Sequence, residues 1–302
     1  MLSLALPKGS SLEQRTLGLF AAAGLQVTRP SERAYRGTIT YGGPIRVAFF
    51  KPREIPLVVA AGVFDAGLTG ADWIEETGAK VESVVSFTYS KTTDSPWRVV
   101  LAVPADDAAR TVQDLGPGTR IATEYPTIAR RFLQDEGIQA EVVHSYGATE
   151  AKIPELADAI VDVVETGSSL HHNGLRIITT IRTCAPWLIA SPEAWCDADR
   201  LRRIQGMARL LDAAHAQSAQ ALLTVRVPTH CLDRVVRSMP ERSWRVGADL
   251  HHTDLVIVQG LAQRAGLPDV IDRLLGAGAI EVTQTDGGMT TPAFPSDTHV
   301  RA

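Results

Sequence analysis

The sequence lacks any run of about 18 apolar residues, the length a helix needs to cross a bilayer, so no membrane span is expected. Cysteine is scarce. Cys184, Cys196 and Cys231 are odd in number and show no Cys-x-x-Cys spacing, which excludes a disulfide framework and a thiolate metal site. A reduced, cytoplasmic protein is the expectation. Excess positive charge is missing too: 30 basic against 34 acidic residues leave a net charge of -4, which argues against a general nucleic-acid binder. The N-terminus meets Pro7 and Lys8 too early for a secretory signal. Repeats are absent, and only the tail after Asp286 is of low complexity. Histidines pair as His171-His172 and His251-His252, but neighbours on a helix or strand point apart. One metal rarely takes both, and no metal-ligating residue is expected.

What remains is an ordinary soluble composition, 45% hydrophobic, in a chain of 302 residues that is long enough for two or three domains. Leu2 to Leu6 reads as a strand, Pro7 to Ser11 as a loop and Leu12 to Ala23 as a helix. A strand, a glycine-bearing loop and a helix suggest an α/β domain with anion contacts at the strand's carboxyl end, where Lys8 stands. Further strands are expected at Arg46 to Phe50, Phe64 to Leu68, Val81 to Phe87 and Trp97 to Val103. Asp72 reads as a cap for a helix at Trp73 to Glu76. Thr88 to Ser95 is a polar loop, either a lid, a hinge or plain surface.

From Pro104 the β-α-β rhythm begins again, with strands at Arg120 to Thr123 and Ala140 to His144 and helices at Ile128 to Glu136 and Ala151 to Leu156. The stretch at 157–170 then carries the clearest chemical signal. Ile160, Val161, Val163 and Val164 are β-branched strand residues, interrupted by Asp162 and ended by Glu165. Thr166, Gly167, Ser168 and Ser169 follow. Successive amides around a glycine form an anion cradle, and hydroxyls add hydrogen bonds. Two acids before such a loop suit a ribose 5-phosphate: carboxylates for the sugar, amides for its phosphate. The same residues also suit a simple turn.

Leu175 to Ile181 continues as a strand, and Thr183 to Ala190 as one that returns to the first sheet. Ser191 to Trp195 is a capped turn, and Arg200 to Leu223 reads as one long helix. Beyond Ala221 the order β-α-β-β-α-β is that of a ferredoxin-like module, with strands at Leu222 to Val227, Ser243 to Val246, Asp254 to Gly260 and Ile280 to Thr285. A regulatory or oligomerising role suits a segment with no catalytic cluster.

In Ala5-Leu-Pro-Lys-Gly9, Lys51-Pro-Arg-Glu-Ile55, Gly67-Leu-Thr-Gly-Ala-Asp72, Ala122-Thr-Glu-Tyr-Pro126, Gly147-Ala-Thr-Glu150 and, most strongly, Asp158 to Leu170 with Asn173-Gly174 behind it, the chain resembles the long form of the ATP phosphoribosyltransferases. The likeness spans nearly the whole chain. It implies two α/β domains similar to periplasmic binding proteins around a central cleft, followed by a C-terminal ferredoxin-like (ACT-like) α+β domain. The implied boundaries are 1–98 completed by 183–218, then 99–182, then 219–302.

The implied reaction joins N1 of ATP to C1 of 5-phosphoribosyl 1-pyrophosphate with Mg²⁺, releasing pyrophosphate as the first step of histidine biosynthesis. Histidine is the implied inhibitor, and the implied assembly is a homo-oligomer between dimer and hexamer. By resemblance, Lys8, Lys51 and Arg53 are catalytic cleft residues. Asp162, Glu165, Thr166, Gly167, Ser168, Ser169 and Leu170 would bind the phosphoribosyl donor. Asp72, Tyr125 and Glu150 would bind ATP, with Tyr125 stacking on the purine. Some positions depart from the family: Ser10 stands where arginine is common, Lys51 and Arg53 are in exchanged order, and His171-His172 replace Arg-Ala. The changed loop and C-terminal residues also fit a paralogue with another heterocyclic acceptor; a non-catalytic regulatory subunit is a third reading, against which the intact loop at 165–169 and the basic residues speak.

Overall fold

A computed structural model describes residues 1–9, 11–90, 95–239 and 244–285. Ser10, the middle of the Thr88 to Ser95 loop, the strand start expected at Ser243 and the polar tail lie outside the described residues. The chain forms two compact units, Met1–Ala208 and Arg209–Ala302.

The first unit begins with strands β1 (Leu2–Pro7), β2 (Arg36–Thr40), β3 (Pro44–Phe50), β4 (Ala66–Gly70) and β5 (Glu82–Ser86). A second series follows: β6 (Trp97–Pro104), β7 (Thr119–Thr123), β8 (Ala140–His144), β9 (Ala159–Val164) and β10 (Leu175–Cys184). The chain then returns to the first sheet as β11 (Pro186–Ala190). The first sheet has the order β2-β3-β1-β4-β11-β5 and the second β10-β6-β9-β7-β8. Strands β3, β1 and β4 are mutually parallel, and β11 runs antiparallel between β4 and β5. In the second sheet β9, β7 and β8 are parallel, β6 runs antiparallel to β9, and β10 pairs antiparallel with β6.

Burial explains the sequence character of the central strands. Every residue of β1 and β4 is buried, so both faces need apolar side chains and the alternation of a half-exposed strand is absent. Leu2, Leu4, Ile45, Val47 and Leu68 fill the first sheet at 0–1% exposure. The second sheet packs Val99, Leu101, Ile121 and Val161 against Ile128 and Leu133 of the helix Pro126–Asp135.

Several expected bounds shift. The edge strand β2 was not legible, and the helix expected at Ala151 to Leu156 is a 3-10 turn at Thr149–Lys152. The long helix runs Ala198–Ser218 and stops short of Leu223 because Gln220 already opens a strand. Ser191 does cap its turn: its Oγ accepts the Ala194 amide at 3.0 Å.

The second unit holds β12 (Gln220–Pro228), β13 (Arg245–Ala248), β14 (Leu255–Gln263) and β15 (Glu281–Thr285), with helices Leu232–Ser238 and Leu267–Gly276. The sheet order β13-β14-β12-β15, antiparallel throughout, is the ferredoxin-like arrangement. Leu223, Val225, Val235 and Leu274 form its core. Among the described residues, no helix is long and apolar enough to cross a membrane.

Candidate active site

The parallel strands of both sheets of the first unit end at one cleft of about 710 Å³. Lys8 follows β1, Lys51 and Arg53 follow β3, Asp72 follows β4, Tyr125 follows β7, Glu150 lies beyond β8, and the loop at 165–170 follows β9. Carboxyl ends of parallel strands leave their amides and exit loops facing outward, which is why α/β proteins place ligands there. All thirteen singled-out residues line this cleft. Glu124, Trp73, Trp97 and Tyr146 line it as well. No local pattern marks the tryptophans or Tyr146, although Glu124 could have been read from its place beside Tyr125.

At the end of β9, Gly167 has φ 83° and ψ 1° and caps the short helix Ser168–His172. A left-handed residue there lets the chain turn sharply out of β9 into the helix, and the Ser168 amide donates to Thr166 Oγ1 at 3.4 Å. Thr166 Oγ1 lies 3.0 Å from Ser168 Oγ, and Ser169 Oγ donates to Glu150 Oε1 at 2.9 Å. Glu150, expected on the ATP side, is thus tied to the loop. Leu170 is 2% exposed and packs with Val164 and Leu175, so it anchors the loop through its apolar side chain. Asp162 and Glu165 are half-buried at the same strand end. His172 Nδ1 lies 2.7 Å from Ser168 O, and the rings of His171 and His172 stand at 89° to each other.

Asp72 differs from its expected role as a cap. It lies inside the helix Ala71–Thr77, whose N-cap is Gly70, and is 2% exposed. The Tyr125 hydroxyl donates to its Oδ2 at 2.9 Å. Burial pushes the Asp72 carboxyl up to about 6, against the pull of Tyr125, of the nearby Asp72 and Trp73 amides and of the Trp97 indole. Of these only the Tyr125 contact has hydrogen-bond geometry; Oδ1 is buried against Gly70 without a partner among the described residues. The Tyr125 phenol is in turn pushed well above its ordinary value, by its own burial first and by the Asp72 charge second.

Stacking of Tyr125 on a purine is not what this structure presents. The residue is 3% exposed, and its ring lies 4.4 Å from that of Trp73. Beside it, Glu76 accepts the Thr127 and Ile128 amides at 3.0 Å, and Glu75 accepts Arg182 at 2.6 Å. One helix from the first sheet therefore holds the start of a helix in the second, and keeps both sides of the cleft in register.

The architecture and cleft define a two-lobed α/β protein with lysine and arginine side chains, loop amides and carboxylates gathered at the strand ends. The sequence model of the ATP phosphoribosyltransferase family matches residues 51–213. The ATP phosphoribosyltransferase of Pelotomaculum thermopropionicum is 39% identical over 283 residues, covering 94% of this chain and 96% of that protein. That of Chlorobium phaeovibrioides is 38% identical over 286 residues, covering 95% and 96%. A solved ATP phosphoribosyl transferase complex from Thermotoga maritima shares the fold at a TM-score of 0.60 and 24% identity, over 72% of this chain and 99% of that one. The chain belongs to the ATP phosphoribosyltransferase family. It is a pentosyl-transferring enzyme of the first step of histidine biosynthesis.

Proposed function

We propose that the phosphoribosyl donor is 5-phosphoribosyl 1-pyrophosphate, with its 5-phosphate seated on the amides and hydroxyls of Thr166, Gly167, Ser168 and Ser169. Asp162 and Glu165 then hold the ribose hydroxyls. The single observation that carries this reading is the left-handed Gly167 at the mouth of β9, directly after two half-buried carboxylates. Lys8, Lys51 and Arg53 face the pyrophosphate and the triphosphate, and an adjoining cavity of about 670 Å³ adds Arg36 and Arg46 to that basic side. Asp72 and Tyr125 act here as a positioning pair for the acceptor side, with Glu150 linking that side to the phosphate loop.

The chemistry asks little of general-base groups. N1 of adenine carries a free lone pair at neutral pH, so it attacks C1 as the bond to pyrophosphate breaks. The lobes must align nucleophile and leaving group and stabilise the charge that develops on pyrophosphate. The family works with a divalent metal ion; our reading is Mg²⁺. The carboxylates of Asp162 and Glu165 are hard oxygen donors of the kind it accepts, and the ion would supply charge neutralisation to the leaving group.

Purified chain incubated with ATP, Mg²⁺ and the donor is expected to give the ultraviolet rise of the N1 adduct. Pyrophosphate release only with another heterocycle would point to a paralogue. No turnover with any acceptor would leave a binding subunit.

The ferredoxin-like unit is, in this proposal, the histidine-responsive part, the three implied segments are two catalytic lobes and one regulatory domain, and the assembly is a homo-oligomer between dimer and hexamer. Deletion from Ala221 onward is expected to abolish inhibition by histidine in the same assay. Inhibition that survives the deletion would overturn the regulatory assignment.

A further inference from the structure

Two lysines flank the first loop of the cleft. Lys8 precedes Gly9, and Lys51 Nζ stands 3.1 Å from where a Cβ on Gly9 would lie. Both line the cleft. Like charges so placed repel, and each side chain is long and flexible, so some group must hold them in place before any phosphate arrives.

For Lys8 that group is Glu13, in the first turn of the helix Ser11–Ala22. Glu13 Oε1 accepts Lys8 Nζ at 2.9 Å and Arg29 Nη1 at 2.9 Å. Its Oε2 accepts the Gly9 amide at 3.0 Å. The Lys8, Glu13 and Arg29 side chains are only 17%, 13% and 14% exposed. A second N–H of Lys8 goes to the Glu32 carbonyl at 2.9 Å. An ammonium has three donors, so one is left over; the Tyr35 and Phe49 ring centroids lie 5.9 and 5.7 Å from Nζ. Burial by itself would raise the Glu13 carboxyl, but the Gly9 amide, Lys8 and Arg29 outweigh it and hold the group below its ordinary value. Glu13 does not itself line the cleft.

We propose that Glu13 is a positioning residue for the transfer reaction: its carboxylate fixes the Gly9 amide and aims the Lys8 ammonium at the phosphate oxygens of the bound substrates. Arg29 supplies the second cation, so that Glu13 is anchored from behind as well. The proposal rests on the reading of Lys8 as a phosphate-facing residue, and the experiment separates the two.

Steady-state kcat and KM for both substrates are measured for the full chain, Glu13→Gln, Glu13→Asp, Lys8→Met and the double variant Glu13→Gln/Lys8→Met. Glu13→Gln keeps the shape and loses the charge; it is expected to lower kcat/KM about ten-fold or more, as misplacement of a catalytic group does. Glu13→Asp, which keeps the charge, should recover part of the loss. In the Lys8→Met background, Glu13→Gln should add less than about two-fold, because the effect runs through the missing ammonium. An equal loss in both backgrounds would overturn the proposal, since Glu13 would then act independently of Lys8. Unchanged kinetics for Glu13→Gln would overturn it as well. Full activity in Lys8→Met would instead remove the reading of Lys8 on which the proposal stands. Should Glu13→Gln fail to fold, Glu13→Asp with and without Lys8→Met carries the same comparison.

Discussion

Gly167→Val is expected to weaken binding of 5-phosphoribosyl 1-pyrophosphate by about a hundred-fold or more, with the thermal midpoint of the chain little changed. The backbone at this position has φ 83°, which a β-branched residue resists. Holding an L-residue there costs about 1–2 kcal/mol, near ten-fold in an equilibrium. Relief of that strain rotates the loop amides away from the phosphate, and each hydrogen bond to a charged group contributes about 1.5–3 kcal/mol. Space does not limit the site: a Cβ on Gly167 would meet Ile177 Cδ1 at an ordinary 3.6 Å. Gly167→Asn is accordingly expected to keep most of the affinity, since asparagine tolerates the left-handed region. Calorimetric titration of both variants checks the pair. Unchanged affinity in Gly167→Val would refute the loop assignment.

Tyr125→Phe is expected to destabilise the two-lobed unit by about 2 kcal/mol at pH 7.5, through loss of a hydrogen bond to a buried charge. The loss should shrink on acidification. Asp72 has a folded value of about 6, above its ordinary 3.8. The folded state therefore binds the proton more tightly than the unfolded chain. Stability from this group is fully present below 3.8 and is lost as pH rises through about 6. Removing the phenol takes away a donor that favours the carboxylate, so the Asp72 value rises further and the penalty falls mainly above pH 6. Urea unfolding at pH 5 and pH 7.5, for the wild-type and Tyr125→Phe chains, measures the difference. An equal loss at both values would mean that only ring packing against Trp73 is disturbed.

The difference between what was legible and what was not follows interaction range. Strands such as Ala140–His144 and the β9 strand are marked locally by β-branched residues, Val142-Val143 in the one and Ile160, Val161, Val163 and Val164 in the other, and they stand where that local signal places them. Gly167 was readable because a left-handed turn needs a residue without a side chain. Strand β2, Arg36–Thr40, escaped because it is an edge strand with only Ile39 buried, so its sequence carries little apolar signal. The status of Asp72 was hidden for a different reason. Its partner Tyr125 is 53 residues away, and no local rule foretells that a helix-start aspartate turns inward. Tyr125 misled in the same manner: a tyrosine in a cleft loop suggests stacking until Trp73 is seen against its ring. The anchoring of Lys8 through Glu13 is local in sequence, but Arg29, which completes it, is not.

The placement of β11 sets an order on how this chain matures. Strand β5 pairs only with β11 among the described strands, and β4 meets β11 on the flank away from β1. As the polypeptide leaves the ribosome, residues 1–86 emerge with that gap unfilled. The strand that fills it is made only after the entire second sheet has been synthesised. Until Ala190 has emerged, the flank of β4 that β11 covers has no partner strand, and an unpaired apolar edge of that kind is a template for aggregation.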